Sequence, residues 1–128
     1  MQTAPTILLA EDDRILRKAA EATLKKAGYV VITVADGEEA LARARGDKPD
    51  LMLLDVIMPK LQGFEVLARL KADASTRDIP IVMLTDLGQD SDRHAALQAG
   101  AAAYVVKSTI GLSGLVRAVA TILGRDAP

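Results

Sequence analysis

No cysteine occurs anywhere in the chain, which removes disulfides, thiolate metal sites and cysteine nucleophiles together. There is one histidine, His94, so an imidazole-rich zinc site is excluded and any metal must be held by oxygen. Tryptophan is absent, and the aromatics Tyr29, Phe64 and Tyr104 amount to only 2% of the residues. Neither sign of charge dominates: 16 basic residues against 17 acidic ones give a formal net charge of -1. Such a balance offers no broad cationic surface for phosphate backbones, so direct nucleic-acid binding is not expected. No segment approaches the ~20 apolar residues of a membrane helix, and "MQTAPT" lacks the basic and apolar regions of a signal peptide. The expected location is cytoplasmic, without membrane insertion.

What is present is a regular alternation. Half of the 128 residues are hydrophobic, enough for one core and too few residues for two ordinary domains. One domain over 1–128 is expected, with a core of about 6–123 and a short tail, "GRDAP". Apolar runs stand at 6–10 ("TILLA"), 30–34 ("VVITV"), 51–55 ("LMLLD"), 81–85 ("IVMLT") and 103–107 ("AYVVK"). They are continuous rather than alternating in polarity, as strands buried on both faces of a parallel sheet are.

Amphipathic stretches separate the runs. Leu16, Ala20 and Leu24 recur at helical spacing and lead into "KKAG", where Lys25 and Lys26 suit the helix dipole and Gly28 a left-handed cap. Further helices are expected over about 37–45, 61–72, 90–99 and 113–123. The last carries Leu112, Leu115, Val116, Val119, Ile122 and Leu123 on one face, with a weak start at Gly111 and Gly114. Five strand-helix rounds with right-handed crossovers give an open, doubly wound α/β sheet, whose ligands bind beyond the carboxyl ends of the strands.

The residues at those ends are Glu11, Asp12 and Asp13 after the first run, Asp55 at the third, Thr85 at the fourth and Lys107 at the fifth. Converging carboxylates repel unless a cation or a proton compensates, and Mg²⁺ is the hard ion that accepts such ligands while leaving room for phosphate oxygens. With a hydroxyl from Thr85 and an ammonium from Lys107, such a site stabilises a phosphoryl group under attack. Asp55 is the candidate nucleophile. Taken singly, each residue has a plainer reading: "EDD" as helix caps, Asp55 as a turn acid, Thr85 as a strand-end hydroxyl, Lys107 as a solvated cation. His94 reads as a surface residue, and Met58 and Pro59 as turn residues. Their common placement on one sheet edge is what points to chemistry.

The segments "ILLAEDD", "PDLMLLDVIMP" followed by "GFEVLARLK", "PIVMLT" and "AGAAAYVVK" resemble the receiver domain of bacterial two-component response regulators, particularly single-domain chemotaxis-type receivers. The resemblance runs from Thr6 to Leu123. It implies a flavodoxin-like five-stranded sheet in the order 2-1-3-4-5 with five helices. It implies that Asp55 accepts a phosphoryl group from a histidine of a sensor kinase or phosphotransfer protein. Mg²⁺ would be bound by Asp12 and Asp55, by Glu11 largely through water, and by the backbone carbonyl of Ile57. Lys107 would pair with the phosphoryl oxygens and the Thr85 hydroxyl would swing toward them. Tyr104 would move into the space vacated, altering the face of the fourth helix, fifth strand and fifth helix for a downstream protein target, with dimerisation as an option. On this reading the chain is a phosphoacceptor that assists its own phosphoryl transfer and dephosphorylation, not an enzyme.

Three departures from the family pattern stand out. Ser108 follows Lys107 where a proline is usual, and a cis bond before a non-proline residue costs ~2.5–4 kcal/mol, so a trans bond is expected. Asp86 follows Thr85 where a small residue is usual, and a further carboxylate should slow labelling by small dianionic donors or else point to solvent. Ile57 and Leu87 occupy the positions that tune phosphoryl loss, and two apolar side chains cannot orient water, so a long-lived phosphorylated state is expected. The main rival is a phosphorylation-independent docking module of the same fold. A Mg²⁺-dependent phosphohydrolase is disfavoured by Ile57 in place of a second aspartate, and a flavin carrier by "EDD" and the scarcity of aromatics.

Overall fold

The computed structural model describes residues 4–86 and 90–124. Strands and helices alternate along it: β1 (Thr6–Ala10), α1 (Arg14–Lys26), β2 (Val30–Val34), α2 (Gly37–Asp47), β3 (Leu51–Asp55), α3 (Gly63–Ala72), β4 (Ile81–Thr85), α4 (Asp90–Gln98), β5 (Ala103–Val106) and α5 (Lys107–Ile122). All strand pairs are parallel and the order is β2-β1-β3-β4-β5, the expected doubly wound arrangement. The order reverses beside β1, so the crevice open to a ligand lies beyond the ends of β1 and β3. No helix among the described residues is long and apolar enough to cross a membrane.

Continuous apolarity in the strands is explained by two cores. Leu8, Ala10, Met52, Leu54, Ile81 and Met83 pack with Ala40, Leu41, Val66 and Leu67 of α2 and α3 on one face of the sheet. Ile7, Leu9, Leu51, Leu53, Val82 and Leu84 pack with Ala20 and Leu24 of α1 and Leu115 and Val119 of α5 on the other. Successive strand residues therefore feed opposite cores, and each fully buried Leu or Ile contributes about 1.5–3 kcal/mol. In β3 and β4 every position is buried, whereas the edge strand β2 leaves Val30 half exposed.

Helix α1 starts and stops as its sequence indicates. The Asp13 carboxylate accepts from the Ile15 and Leu16 amides at 3.0 and 3.1 Å, Lys25 and Lys26 occupy the last turn, and Gly28 has φ 102°. Helix α2 runs to Asp47, two residues past the expected end, and three boundaries nearer the cleft also differ from expectation. Helix α3 begins at Gly63 rather than 61, because residues 59–62 form a turn in which the Leu61 amide bonds the Pro59 carbonyl at 2.7 Å. Strand β5 ends at Val106, so Lys107 opens a helix instead of closing a strand. Helix α5 starts six residues before 113, with a first turn over 107–110 that Gly111 (φ 67°, ψ 177°) breaks from the rest. Gly111 is thus a hinge residue in a conformation open to glycine alone, while Gly114 is helical and seats the Ile110 side chain where a Cβ would be. The described residues contain no cis peptide, so the Lys107–Ser108 bond is trans, as expected.

Candidate functional site

The loop after β1 sorts its acids by backbone geometry. The Glu11 amide bonds the Val34 carbonyl at 3.1 Å, prolonging the β1–β2 pairing by one residue and leaving Glu11 only 1% exposed. Asp13 is consumed by capping α1, and its own amide donates to Glu11 Oε2 at 3.1 Å. Arg17, one turn into α1, donates to the Glu11 carbonyl at 2.8 Å and to the Asp12 carbonyl at 3.3 Å. The cap reading of "EDD" therefore holds for Asp13, while Asp12 remains exposed beside the crevice.

Asp55 ends the fully buried β3 and is itself 5% exposed. The Val56 amide bonds the Leu84 carbonyl at 2.9 Å, which carries the sheet past the aspartate and fixes its backbone. Behind it, α3 begins so close that a Cβ on Gly63 would overlap the Asp55 carbonyl oxygen. The Asp55 side chain accepts from the Ile57 amide at 3.4 Å and from Lys107 Nζ at 2.9 Å. Lys107 also donates to Glu11 Oε1 at 2.6 Å, so one ammonium bridges acids from β1 and β3.

The electrostatics follow from that bridge. Burial raises the Glu11 carboxyl above its ordinary range, the nearby Asp55 adds to this, and the Lys107 ammonium only partly opposes it. For Lys107, burial alone would lower the pKa, but its contacts with Glu11 and Asp55 outweigh burial and raise it. Oxygens of Glu11, Asp12 and Asp55 lie within 4.8 Å of one another. Such an all-oxygen, multiply charged donor set fits Mg²⁺ and offers nothing to a softer ion.

Glu11, Asp12, Asp55, Ile57, Thr85, Asp86 and Lys107 line one open cleft. Thr85 is 1% exposed at the end of β4, whereas Ile57 is 58% exposed at the rim and Asp86 is exposed beside it. Tyr104 is not part of this cleft. It is buried in the core shared with α2 and α3, and Arg93 of α4 lies over its ring at 5.5 Å while donating to its carbonyl at 2.9 Å. Leu87 falls outside the described residues. Sequence reasoning missed Arg17, Gly63 and Arg93; of these only Gly63, set immediately before a helical run, had a visible signal.

The response regulator receiver domain family model matches residues 7–120. Among curated proteins, the probable transcriptional regulator ycf27 of Guillardia theta is 41% identical over 93% of this chain and 46% of its own length. The transcriptional regulatory protein AfsQ1 of Streptomyces coelicolor is 42% identical over 90% of this chain and 51% of its own length. The chain thus spans about half the length of these curated relatives. Among solved structures, a putative response regulator from Chloroflexus aurantiacus superposes with a TM-score of 0.88 at 35% identity, covering 95% of this chain and 99% of that one. The receiver domain of a Pseudomonas aeruginosa sensor histidine kinase, solved with a magnesium ion in its active-site cleft, gives 0.85 at 33% identity, over 94% and 98%.

Proposed function

The chain belongs to the family of response regulator receiver domains, and from that premise we propose that Asp55 accepts a phosphoryl group from a phosphohistidine of a sensor kinase or phosphotransfer protein. The observation that carries this reading is the Lys107 ammonium, 2.6 Å from Glu11 and 2.9 Å from Asp55 inside an acidic, oxygen-only cluster. An Asp55 oxygen attacks phosphorus, the phosphorus–nitrogen bond breaks, and the departing imidazole takes its proton from solvent. Lys107 neutralises the phosphoryl oxygens, and the Thr85 hydroxyl at the end of β4 donates to them. Glu11, Asp12, Asp55 and the Ile57 carbonyl would hold Mg²⁺, which when bound supplies charge compensation to the transferring group.

Output would pass through the face of α4, β5 and α5, where Tyr104 sits beneath Arg93, to a downstream protein. Dimerisation through the same face is compatible with this. The domain is a signalling module, and its part in phosphoryl gain and loss is self-modification. The exposed Ile57 gives no polar group to orient water at the cleft, so the phosphorylated form should outlive that of Ile57→Asn; equal half-lives would remove that inference.

The deciding experiment is intact mass spectrometry after incubation with acetyl phosphate or a cognate kinase, with and without Mg²⁺, on the wild type and Asp55→Ala. Addition of one phosphoryl group that requires both Mg²⁺ and Asp55 supports the proposal. No addition with an active kinase would favour a docking module that works without phosphate.

A further inference from the structure

The segment between β3 and α3 is a closed lobe. Its two ends are pinned together by the Gly63 amide on the Val56 carbonyl at 2.9 Å, and its middle contains the left-handed Lys60 (φ 67°). Ile57, on the ascending arm, faces the acidic cleft; Leu61, on the descending arm, faces α2.

Helix α2 touches that lobe at its first residue. The Gly37 amide donates to the Pro59 carbonyl at 3.3 Å, and Lys60 Nζ lies 3.6 Å from Asp36, the residue capping α2 through the Glu39 amide at 2.8 Å. The contact is backbone on backbone. A Cβ on Gly37 would overlap the Leu61 carbonyl oxygen and stand 2.7 Å from the Leu61 carbonyl carbon. Retreat of the descending arm along α3 is opposed by the hydrogen bond of the Gly63 amide to the Val56 carbonyl and by a packing so close that an added Cβ on Gly63 would overlap the Asp55 carbonyl oxygen. With Gly63 pinned, a push at Leu61 has a path into the arm that carries Ile57. Among the described residues, none of α2 lines the acidic cleft.

We propose that Gly37 is a positioning residue for the metal site: by letting α2 close on the β3–α3 lobe, it sets where the Ile57 carbonyl stands relative to Asp55 and Asp12. This rests on the reading of that cluster as a Mg²⁺ site. Partners that orient metal ligands without touching the ion typically carry about 10–100-fold in affinity.

The test is a Mg²⁺ titration at fixed pH, followed by amide NMR shifts of the cleft residues, with thermal unfolding recorded for each variant. Gly37→Ala should raise the dissociation constant about tenfold or more. Gly46→Ala, on the same helix with no neighbour within 4 Å of the added methyl, should leave it unchanged. Gly28→Ala, strained at φ 102° but remote from the lobe, should lower the melting temperature without moving the dissociation constant. This separates positioning from general destabilisation. Should Gly37→Ala not fold, one glycine inserted between Lys60 and Leu61 slackens the lobe without any overlap, and it too should weaken binding. Wild-type affinity in a folded Gly37→Ala, or in the slackened lobe, overturns the positioning role. Absence of Mg²⁺ binding by the wild type overturns the metal reading itself.

Discussion

Asp12 and Asp13 are adjacent and chemically identical, yet only one is engaged by its helix. Asp13 accepts two amides as the cap of α1, while Asp12 stands exposed with its oxygen near those of Glu11 and Asp55. Removing Asp12 relieves repulsion between like charges, worth about 1 kcal/mol at such distances in a water-like dielectric. We expect Asp12→Ala to be more stable than the wild type by about that amount in chelator, and to lose the rise in unfolding free energy that Mg²⁺ should give the wild type. Urea denaturation with and without Mg²⁺ reads both, and an unchanged Mg²⁺ response would remove Asp12 from the ligand set. Asp86 shares the cleft with the three acids, so Asp86→Ala should speed labelling by acetyl phosphate severalfold; equal rates would mean that its carboxylate is too well solvated to repel a donor. At this scale the sequence was informative about identity and silent about partners. Asp55 and Thr85 are legible as strand-end residues and Glu11 as the residue just past one, whereas Lys107 is legible by position but opens α5 rather than closing β5; the cap that separates Asp12 from Asp13, and the guanidinium of Arg17 holding their loop, depend on a turn geometry that no spacing rule specifies.

Among the elements, α5 departs most from what its sequence implies. Apolar periodicity locates the helix from Leu112 onward, because those side chains meet the core beside α1. The turn over 107–110 has no such stripe, and it forms because Gly111 can leave the helical region and let the chain re-enter it. Gly111→Ala should cost about 1–3 kcal/mol through backbone strain alone, since nothing lies within 4 Å of the added methyl. Gly46→Ala, equally open but within α2, should stabilise by about 0.5–1 kcal/mol. Chemical denaturation of the two variants gives opposite signs if this account holds, and the same sign if both glycines are merely tolerated. The start of α3 likewise lies two residues past its expected position, because the turn at 59–62 is fixed by hydrogen bonds to Pro59 and by the fit of Gly63 against Asp55, neither of which has a periodic signature.

For the whole molecule, parallel order was the most legible property: five continuous apolar runs admit few arrangements other than a sheet covered on both faces. Its acid stability depends on carboxyls whose partners differ. The amide of Glu39 and then the proximity of Lys60 hold Asp36 below the ordinary aspartate pKa of 3.8, and Ser75 does the same for Asp73 with help from Arg45. A carboxyl with a lowered folded pKa binds fewer protons than the unfolded chain, so its stabilisation is present above the ordinary value and lost as pH falls through the folded one. Glu11, raised by burial, has the opposite sign: its contribution is present at low pH and fades as pH rises through its raised pKa. We expect urea midpoints to fall as pH drops below about 4, with a shallower fall in Asp36→Asn; an identical slope would show that this cap does not govern acid unfolding. The Lys107 bridge has a different kind of consequence. It joins residues 96 and 52 positions apart in the chain, and synthesis proceeds from the N-terminus. A nascent chain on the ribosome presents its acids first and receives the balancing ammonium only when β5 and the opening turn of α5 arrive. On the proposed reading, competence for phosphoryl transfer would then wait on the arrival of Lys107 and be withheld from fragments that hold β1 and β3 alone.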